Sequence, residues 1–206
     1  MGSEQLNEEF STRERILSAA RAEIEEFGIL GLRLDGVARR ASISIPLIYR
    51  YFGGRDGLLA VVLGDWYAEF VRGYRALVDN WLDKTVSITL EEFALISPKP
   101  RADQNQKARE FRLQVLATAV ENHPLRKRIS EITTEVYHWM HQTVKRGKEK
   151  LPESDRHFDD RIFTLLLFNT MYVFTDLVEG ATPEDIEYSR FLVDLIRASS
   201  EKNSPS

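Results

Sequence analysis

Apolar residues recur along most of the chain at the three- and four-residue spacing of an α-helix. This periodicity predicts an all-α fold of about nine helices, separated by short polar or proline-containing segments. The longest uncharged run, Ile162 to Thr175, has 14 residues and is shorter than the ~18–20 residues that a bilayer-spanning helix requires. The predicted helices cover residues 12–27, 34–41, 45–52, 58–82, 90–96, 106–122, 124–148 and 155–178, and a ninth begins near Pro183.

The first predicted helix has apolar residues from Ile16 to Phe27 along one face. Ser11 and Glu14 have the spacing of a capping box, in which each side chain accepts a hydrogen bond from a backbone amide at the helix start. Gly28 follows the last apolar residue, where a left-handed C-terminal cap is common. We therefore expect a helix that begins near Ser11 and ends at Gly28.

Residues 33–52 predict two short helices joined by a turn at residues 42–44. Ser44 is expected to cap the second helix, with its hydroxyl accepting a hydrogen bond from the amide of Leu47. Ile48 and Phe52 lie four residues apart and are the predicted buried pair. The remaining face would then expose apolar side chains, which is unusual for a solvated helix and indicates a binding surface.

The formal net charge of −4 conceals a local excess of positive charge. Between residues 33 and 55 there are five arginines (33, 39, 40, 50 and 55) and one acid, Asp35. A positive patch on an acidic protein is typical of a chain that contacts a polyanion with one face.

The stretch VARRASISIPLIYRYFGGRDGLL resembles the DNA-binding head of the TetR family of transcriptional regulators. The resemblance covers about residues 11–60. Its departures are Arg33 in place of a Thr or Ser cap, Ser42 in place of the turn glycine, and glycines after Phe52 that we expect to loosen the exit toward the rest of the chain. The matching features are Val37-Ala38, Ala41, Ile43-Ser44, Ile48-Tyr49, Phe52, and Arg55 before Leu58-Leu59.

The resemblance implies that the third helix enters the major groove of double-stranded DNA. It makes Ile45, Pro46 and Tyr49 candidates for base contact, where apolar groups can meet thymine methyls. The candidates for contact with the DNA backbone or its flanks are Arg33, Ser44, Leu47, Arg50, Tyr51 and Arg55.

The expected organisation is a flexible N-terminus at 1–10, a helix-turn-helix DNA-binding domain at 11–57, a helical ligand-binding and dimerisation domain at 58–200, and a disordered tail at 201–206. The resemblance implies a cytoplasmic, ligand-responsive regulator, most simply a repressor. It would bind a pseudo-palindromic site as a homodimer and be released by a small effector. No cofactor and no membrane association are expected.

The predicted eighth helix is apolar around nearly its whole circumference. Such a helix must be buried on two sides, so one side is expected to face its own subunit and the other a second copy of the chain. The ninth helix contributes a second apolar face. The expected dimer residues are Leu165, Phe168, Tyr172, Leu192, Leu195 and Ile196.

Polar residues within apolar runs raise two alternatives for the predicted ligand-binding domain. Buried amides such as Asn169 need hydrogen-bond partners, which could be a neighbouring helix or a ligand. Aromatic residues nearby would suit a hydrophobic or aromatic effector. The expected pocket residues are Trp66, Phe93, Phe111, Gln114, Tyr137, Met140, Asn169 and Tyr172.

Glu135, His138 and His141 form an E-x-x-H-x-x-H pattern that resembles carboxylate–histidine metal sites in helical bundles. One alternative function is therefore an all-helical metal-dependent oxidase, and another is a helical binding module that no longer binds DNA. A solvated polar helix edge is the simpler interpretation of the pattern, so no metal is expected. With no cysteine and four histidines, no nucleophile–base pair is visible and no enzymatic activity is expected.

Overall fold

A computed structural model of the chain describes residues 2–94, 106–173 and 185–201. All regular structure in these residues is helical, which confirms the predicted all-α fold. Residues 97–106 are an expected polar, proline-containing loop, and apart from Gln106 they lie outside the described residues, as do the last turn of the predicted eighth helix and the start of the ninth at Thr182-Pro183. The helices are α1 (Gly2–Gly31), α2 (Leu34–Ala41), α3 (Ile45–Phe52), α4 (Arg55–Lys84), α5 (Leu90–Ala94), α6 (Gln106–Glu121), α7 (His123–Lys148), α8 (Asp160–Val173) and α9 (Asp185–Glu201).

The first helix begins earlier than predicted. α1 starts at Gly2, so Ser11 lies inside the helix and the expected capping box at its start is wrong. Glu, Gln and Leu are good helix formers, and they make up much of residues 4–9. Gly28 does interrupt α1, with φ 75° and ψ 169°, and one further turn follows it.

The chain forms two compact units. Unit 1 consists of Met1–Glu69 and Leu113–Glu131, and unit 2 consists of Phe70–Arg112 and Ile132–Ser206. This division differs from the expected boundary after residue 57, because the first half of α4 and the α6–α7 corner belong to unit 1.

In unit 1, α1 packs on α2 and α2 packs on α3. The buried side chains of the three helices meet in one core, in which Ile16, Val37 and Ile48 have no solvent exposure. Three helices of this size bury little surface alone, and Leu58 and Leu125 add fully buried side chains from α4 and α7.

In unit 2, the core contains a cluster of three phenylalanines. The ring of Phe93 stacks on Phe163 at a centroid distance of 5.1 Å, and Phe158 lies 5.7 Å from Phe93. α5 packs against α9. A capping box that the sequence analysis missed starts α5: the Thr89 amide donates to Glu92 Oε2 at 2.8 Å, and the Glu92 amide donates to Thr89 Oγ1 at 3.1 Å.

The eighth helix begins at Asp160 and not at residue 155 as predicted. Residues Glu153–Asp155 form a short 3-10 turn. Asp159 then caps α8, because its Oδ1 accepts hydrogen bonds from the amides of Arg161 at 2.7 Å and Ile162 at 3.1 Å. The later start lets Phe158 enter the core.

Candidate nucleic-acid interface

α3 presents an exposed face of mixed chemistry. Ile48 and Phe52 are buried, as predicted, and they hold the helix on the core of unit 1. Ile45 is exposed, Pro46 and Arg50 are exposed, and Tyr49 is 55% exposed. The structure therefore places the candidate base-contacting residues together on an accessible surface.

The start of α3 differs from the expectation in one hydrogen bond. Ser44 is the N-cap residue, with φ −87° and ψ 148°, but its side chain makes no capping hydrogen bond. The amide of Leu47 donates instead to the backbone carbonyl of Ser44 at 3.1 Å. The predicted cap is wrong because a tight backbone turn satisfies the amide, and the exposed hydroxyl remains available to an external acceptor.

The turn between α2 and α3 contains a non-glycine residue in the left-handed region. Ser42 has φ 54° and ψ 50°, and its amide donates to the carbonyl of Arg39 at 3.3 Å. A side chain in this conformation costs about 1–2 kcal/mol relative to its preferred backbone angles. Ser42 stands where the family usually has a turn glycine, and its backbone is therefore strained.

The number of uncompensated arginine charges in this region is smaller than the sequence indicates. Arg40 donates from Nε to Glu23 Oε2 at 2.7 Å and from Nη2 to Glu26. These two carboxylates raise the pKa of Arg40. Arg39 pairs only loosely with Asp35, at 3.8 Å between exposed groups. Arg40 therefore joins α2 to α1, and its charge is compensated within the protein.

Gly36 of α2 is required by a close approach. A Cβ atom at this position would lie 2.1 Å from Oε1 of Glu23. Glu23 is buried and bonded to Arg40, so it has little freedom to move away. The absent side chain at Gly36 thus makes room for the carboxylate that joins the two helices.

Arg55 was predicted to contact the DNA backbone, but it makes three hydrogen bonds within the protein. Its Nε donates to the carbonyl of Leu32 at 3.1 Å, and its Nη2 donates to those of Ile29 at 3.1 Å and Leu30 at 3.3 Å. These carbonyls follow the break at Gly28 and need donors. Any phosphate contact of Arg55 would have to share a guanidinium that already supports the end of α1.

The glycines after Phe52 were expected to loosen the exit from α3, and the structure contradicts this at Gly57. A Cβ atom on Gly57 would lie 1.7 Å from the carbonyl oxygen of Phe52. Gly53 closes α3 with φ 72°, and its amide donates to the Tyr49 carbonyl at 2.8 Å. The connection to α4 is therefore tight.

The other predicted contact residues lie at the edges of this surface. Arg33 is exposed at the extended N-cap of α2 and lines a polar groove of about 490 Å³ with Arg39. Leu47 is half-buried, and Tyr51 is half-buried beside the ring of Phe52 at 6.3 Å. They remain candidates for flanking contacts.

Asn122 is a buried polar residue that the sequence analysis did not single out. Its Oδ1 accepts the amide of Leu125 at 2.9 Å, which caps α7. Its Nδ2 donates to the carbonyl of Asp56 at 2.9 Å, in the first turn of α4. One side chain therefore ties the α6–α7 corner to the helix that follows the turn-helix motif. An Asn before His-Pro is a recognisable cap signal, but its second bond spans 66 residues.

The residues predicted to line an effector pocket are divided between the two units, with Trp66 and Gln114 in unit 1 and Phe93, Phe111, Tyr137 and Met140 in unit 2. Phe93 and Met140 are buried core residues of unit 2. Trp66 lies under the guanidinium of Arg21 at 5.6 Å, and Gln114 lines a groove in unit 1. Phe111 and Tyr137 are half-buried, whereas the side chains of Asn169 and Tyr172 lie outside the described residues.

The predicted dimer residues divide into two groups. Leu165 and Leu195 are exposed, as an interface requires of an isolated chain. Leu192 and Ile196 are buried within the single chain, on the helix that packs against α5. Ile162 and Phe191 are further exposed apolar residues of α8 and α9. The side chains of Phe168 and Tyr172 lie outside the described residues.

Glu135, His138 and His141 do not form a metal site. Glu135 and His138 are exposed, and Nδ1 of His141 lies 3.2 Å from the hydroxyl of Thr164. Within 2–94, 106–173 and 185–201 no three His, Cys, Asp or Glu residues are grouped as metal ligands. Over the same residues, no helix combines the length and the hydropathy needed to cross a bilayer.

The part of the chain that contains the exposed face of α3 is similar to known proteins. Residues 16–62 match the model of the bacterial regulatory proteins of the tetR family. The HTH-type transcriptional regulator BetI of Burkholderia thailandensis is 38% identical over 71 residues, which are 32% of this chain and 36% of the relative. The chain thus spans about a third of the length of that curated relative.

Two further proteins extend the comparison. An HTH-type transcriptional repressor of Streptomyces coelicolor is 43% identical over 53 residues, which are 26% of this chain and 28% of the relative. The crystal structure of FadR from Bacillus subtilis, in complex with stearoyl-CoA, has a TM-score of 0.50 and 18% sequence identity over 91% of this chain and 98% of that chain. That likeness is one of fold.

Proposed function

We propose that this chain, whose residues 16–62 match the model of the tetR family of bacterial regulatory proteins, is a DNA-binding transcriptional regulator that reads its site with α3. The observation that carries the proposal is the exposed face of α3, which is held outward by the buried pair Ile48 and Phe52. Such a regulator acts in the cytoplasm, where the DNA is.

The side chains of this face suit the major groove. Ile45 and Pro46 supply apolar contact for thymine methyls at the start of the helix, and Tyr49 follows one turn later. Arg50 can reach a phosphate or a guanine edge. The Ser44 hydroxyl makes no cap bond, so it can donate to a phosphate.

The proposed assembly is a homodimer that binds two half-sites. The exposed leucines, isoleucine and phenylalanine of α8 and α9 support an interface, because large apolar side chains on these helices lack cover in the single chain. The two recognition helices would then lie ~34–36 Å apart, in successive major grooves.

Paired substitutions on α9 test the dimer. Leu195→Glu, at an exposed position, should shift the sedimentation coefficient to that of a monomer while the helical circular dichroism is retained. Leu192→Ala, at a fully buried position, should lower stability by about 2–5 kcal/mol and leave the assembly state of the folded protein unchanged. A dimer that survives Leu195→Glu would contradict the proposed interface.

We also propose that the regulator is a repressor controlled by a small molecule. A matched relative is a transcriptional repressor, and a protein of the same fold was solved with stearoyl-CoA. An effector would act by favouring a spacing of the heads that does not fit the operator, with a coupling of about 1–3 kcal/mol.

Selection of bound fragments from a random DNA pool tests DNA binding directly. We expect an enriched palindrome with half-sites ~10–10.5 base pairs apart. Tyr49→Ala and Arg50→Ala should each weaken binding to it about tenfold, since a good base contact is worth about 1–3 kcal/mol. Arg72→Ala, an exposed arginine of α4 in unit 2, is the charge-matched control and should bind normally. If no palindrome is enriched, the chain is a helical module that does not bind DNA.

A further inference from the structure

A groove of about 650 Å³ opens within unit 1, where the end of α1, the first turns of α4 and the last turns of α6 come together. Small-molecule sites have volumes of about 300–1,000 Å³ and combine apolar walls with a few polar groups. The groove has this size and this composition. Of the eight residues predicted for the effector pocket, Gln114 lines this groove.

One wall of the groove is apolar and exposed. Phe27 is 54% exposed and Leu30 is 92% exposed, and both line the groove with the buried Leu59. The spacing of Phe27 predicts the buried face of α1, and the helical geometry breaks at the next residue, Gly28. Large apolar side chains grouped around a concave surface mark a binding site more often than scattered ones do.

The groove also has a polar and acidic part of its lining. Gln114, Thr118 and Glu121 follow one another at i, i+4 and i+7 on α6, and all three line the groove together with Asp56 of α4. The carboxylates of Asp56 and Glu121 pair with no cation in the part of the chain that the structure describes.

The two carboxylates differ in their helix environments. Asp56 lies in the first turn of α4, where the helix dipole favours a negative charge. Glu121 is the last residue of α6, where the dipole disfavours one. Arg55 also lines the groove, but its Nε and Nη2 are bonded to the carbonyls of α1. A cation would therefore be stabilised most at Glu121.

We propose that this groove binds a small amphipathic organic amine. Its protonated nitrogen lies at Glu121 and Asp56, and its apolar skeleton lies on Phe27, Leu30 and Leu59. The charge of the polar wall selects the cation, and the exposed apolar wall selects a hydrocarbon skeleton over a hydrated metal ion. The size of the groove selects a small molecule over a helix of a partner protein.

We expect a ligand bound in the groove to change the affinity for DNA, and this consequence rests on the proposed function. The ligand would join α6 to the two helices that flank the turn-helix motif in sequence, α1 and α4. An amine that favours the DNA-bound arrangement raises DNA affinity, and by linkage DNA raises the affinity for the amine by the same factor.

Three probes with one skeleton and different headgroups test the site: octylamine, octanol and octanoate. Isothermal titration calorimetry is performed on the full chain without DNA. We expect octylamine to bind most tightly, octanol more weakly and octanoate least. Glu121→Gln should weaken the affinity for octylamine about fivefold, which corresponds to the upper range for an exposed ion pair. The same variant should leave the affinity for octanol unchanged. Leu30→Gln should weaken both.

Glu25→Gln is the matched control, because Glu25 is an exposed acid of α1 outside the groove. It should leave octylamine binding unchanged. Equal affinity for the three probes, an unchanged affinity in Glu121→Gln, or no binding of octylamine at millimolar concentration would each overturn the proposal. Since no DNA is present, these outcomes are independent of whether the chain binds an operator.

Discussion

Asn122→Asp isolates the hydrogen bond between the α6–α7 corner and the first turn of α4. The replacement keeps the acceptor that caps α7, because aspartate is as good an N-cap as asparagine. It removes the donor to the Asp56 carbonyl, 2.9 Å away, and places an oxygen against that oxygen. The variant therefore tests the inter-helix bond without removing the cap.

The expected loss is about 2 kcal/mol at pH 7. A lost intramolecular hydrogen bond contributes about 1 kcal/mol, and a poorly satisfied polar group at a site that is 4% exposed adds about 1–3 kcal/mol. A negative charge at the start of α7 stabilises the folded state by about 0.3–1 kcal/mol through the helix dipole, which offsets part of the loss. Asn122→Ala loses the cap as well, so it should cost about 1 kcal/mol more.

The penalty of Asn122→Asp should depend on pH. We expect burial and the facing carbonyl to outweigh the helix dipole and to raise the pKa of the introduced carboxyl in the folded state above its unfolded value of about 3.9. Folding then binds a proton, so the penalty is largest at pH 7 and shrinks as the pH falls toward the unfolded pKa. A protonated carboxyl can also donate to the Asp56 carbonyl.

Urea denaturation at several pH values measures the loss, and hydrogen exchange locates it. The Leu125 amide should exchange faster in Asn122→Ala but not in Asn122→Asp, since only the alanine variant removes its acceptor. The reasoning is refuted if Asn122→Asp is as stable as the wild type at pH 7. It is also refuted if the penalty is constant from pH 7 to pH 4.

Three further predictions use urea denaturation. Gly57→Ala should cost more than about 2 kcal/mol through steric overlap, while Gly73→Ala, in open space on the same helix, should stabilise by about 0.5–1 kcal/mol; equal effects would contradict the close contact. Ser42→Gly should stabilise by about 1 kcal/mol by relieving the left-handed strain, and a loss would show that the serine side chain is needed. Asp160→Asn should destabilise at neutral pH, because the bond from Lys148 holds the pKa of Asp160 below its usual value; this difference should vanish as the pH falls through that lowered pKa, and a difference that persists at lower pH would contradict the pairing.

The helix-turn-helix region is where the sequence was most informative. The bounds of α2 and α3 match those predicted from spacing, and Ile48 and Phe52 are the buried pair. These features depend on neighbours within a few residues, so local periodicity determines them. The wrong Ser44 cap shows the limit, because a backbone turn competed with the side chain for the same amide.

The partners of the arginines could not be read from the sequence. Arg40 meets a carboxylate 17 residues away, and Arg55 meets carbonyls 23 to 26 residues away. A count of charges treats each arginine as solvated, and only the folded chain shows which are compensated.

The faces of α9 show a similar ambiguity. Leu192 and Leu195 are both apolar and lie three residues apart, and the packing of α5 decides which of them is buried.

The discontinuity of unit 1 has a consequence for how the protein is made. The turn-helix segment leaves the ribosome well before Leu113–Glu131, the second range of the unit. Until that range is synthesised, α4 lacks the donor of Asn122 and the core lacks Leu125. The helix-turn-helix segment of the nascent chain therefore lacks part of its core and one hydrogen bond until a distant part of the same chain has been synthesised. For the same reason, a graft of residues 1–57 onto another protein would transfer the exposed face of α3 without the residues of α4, α6 and α7 that complete the core of unit 1.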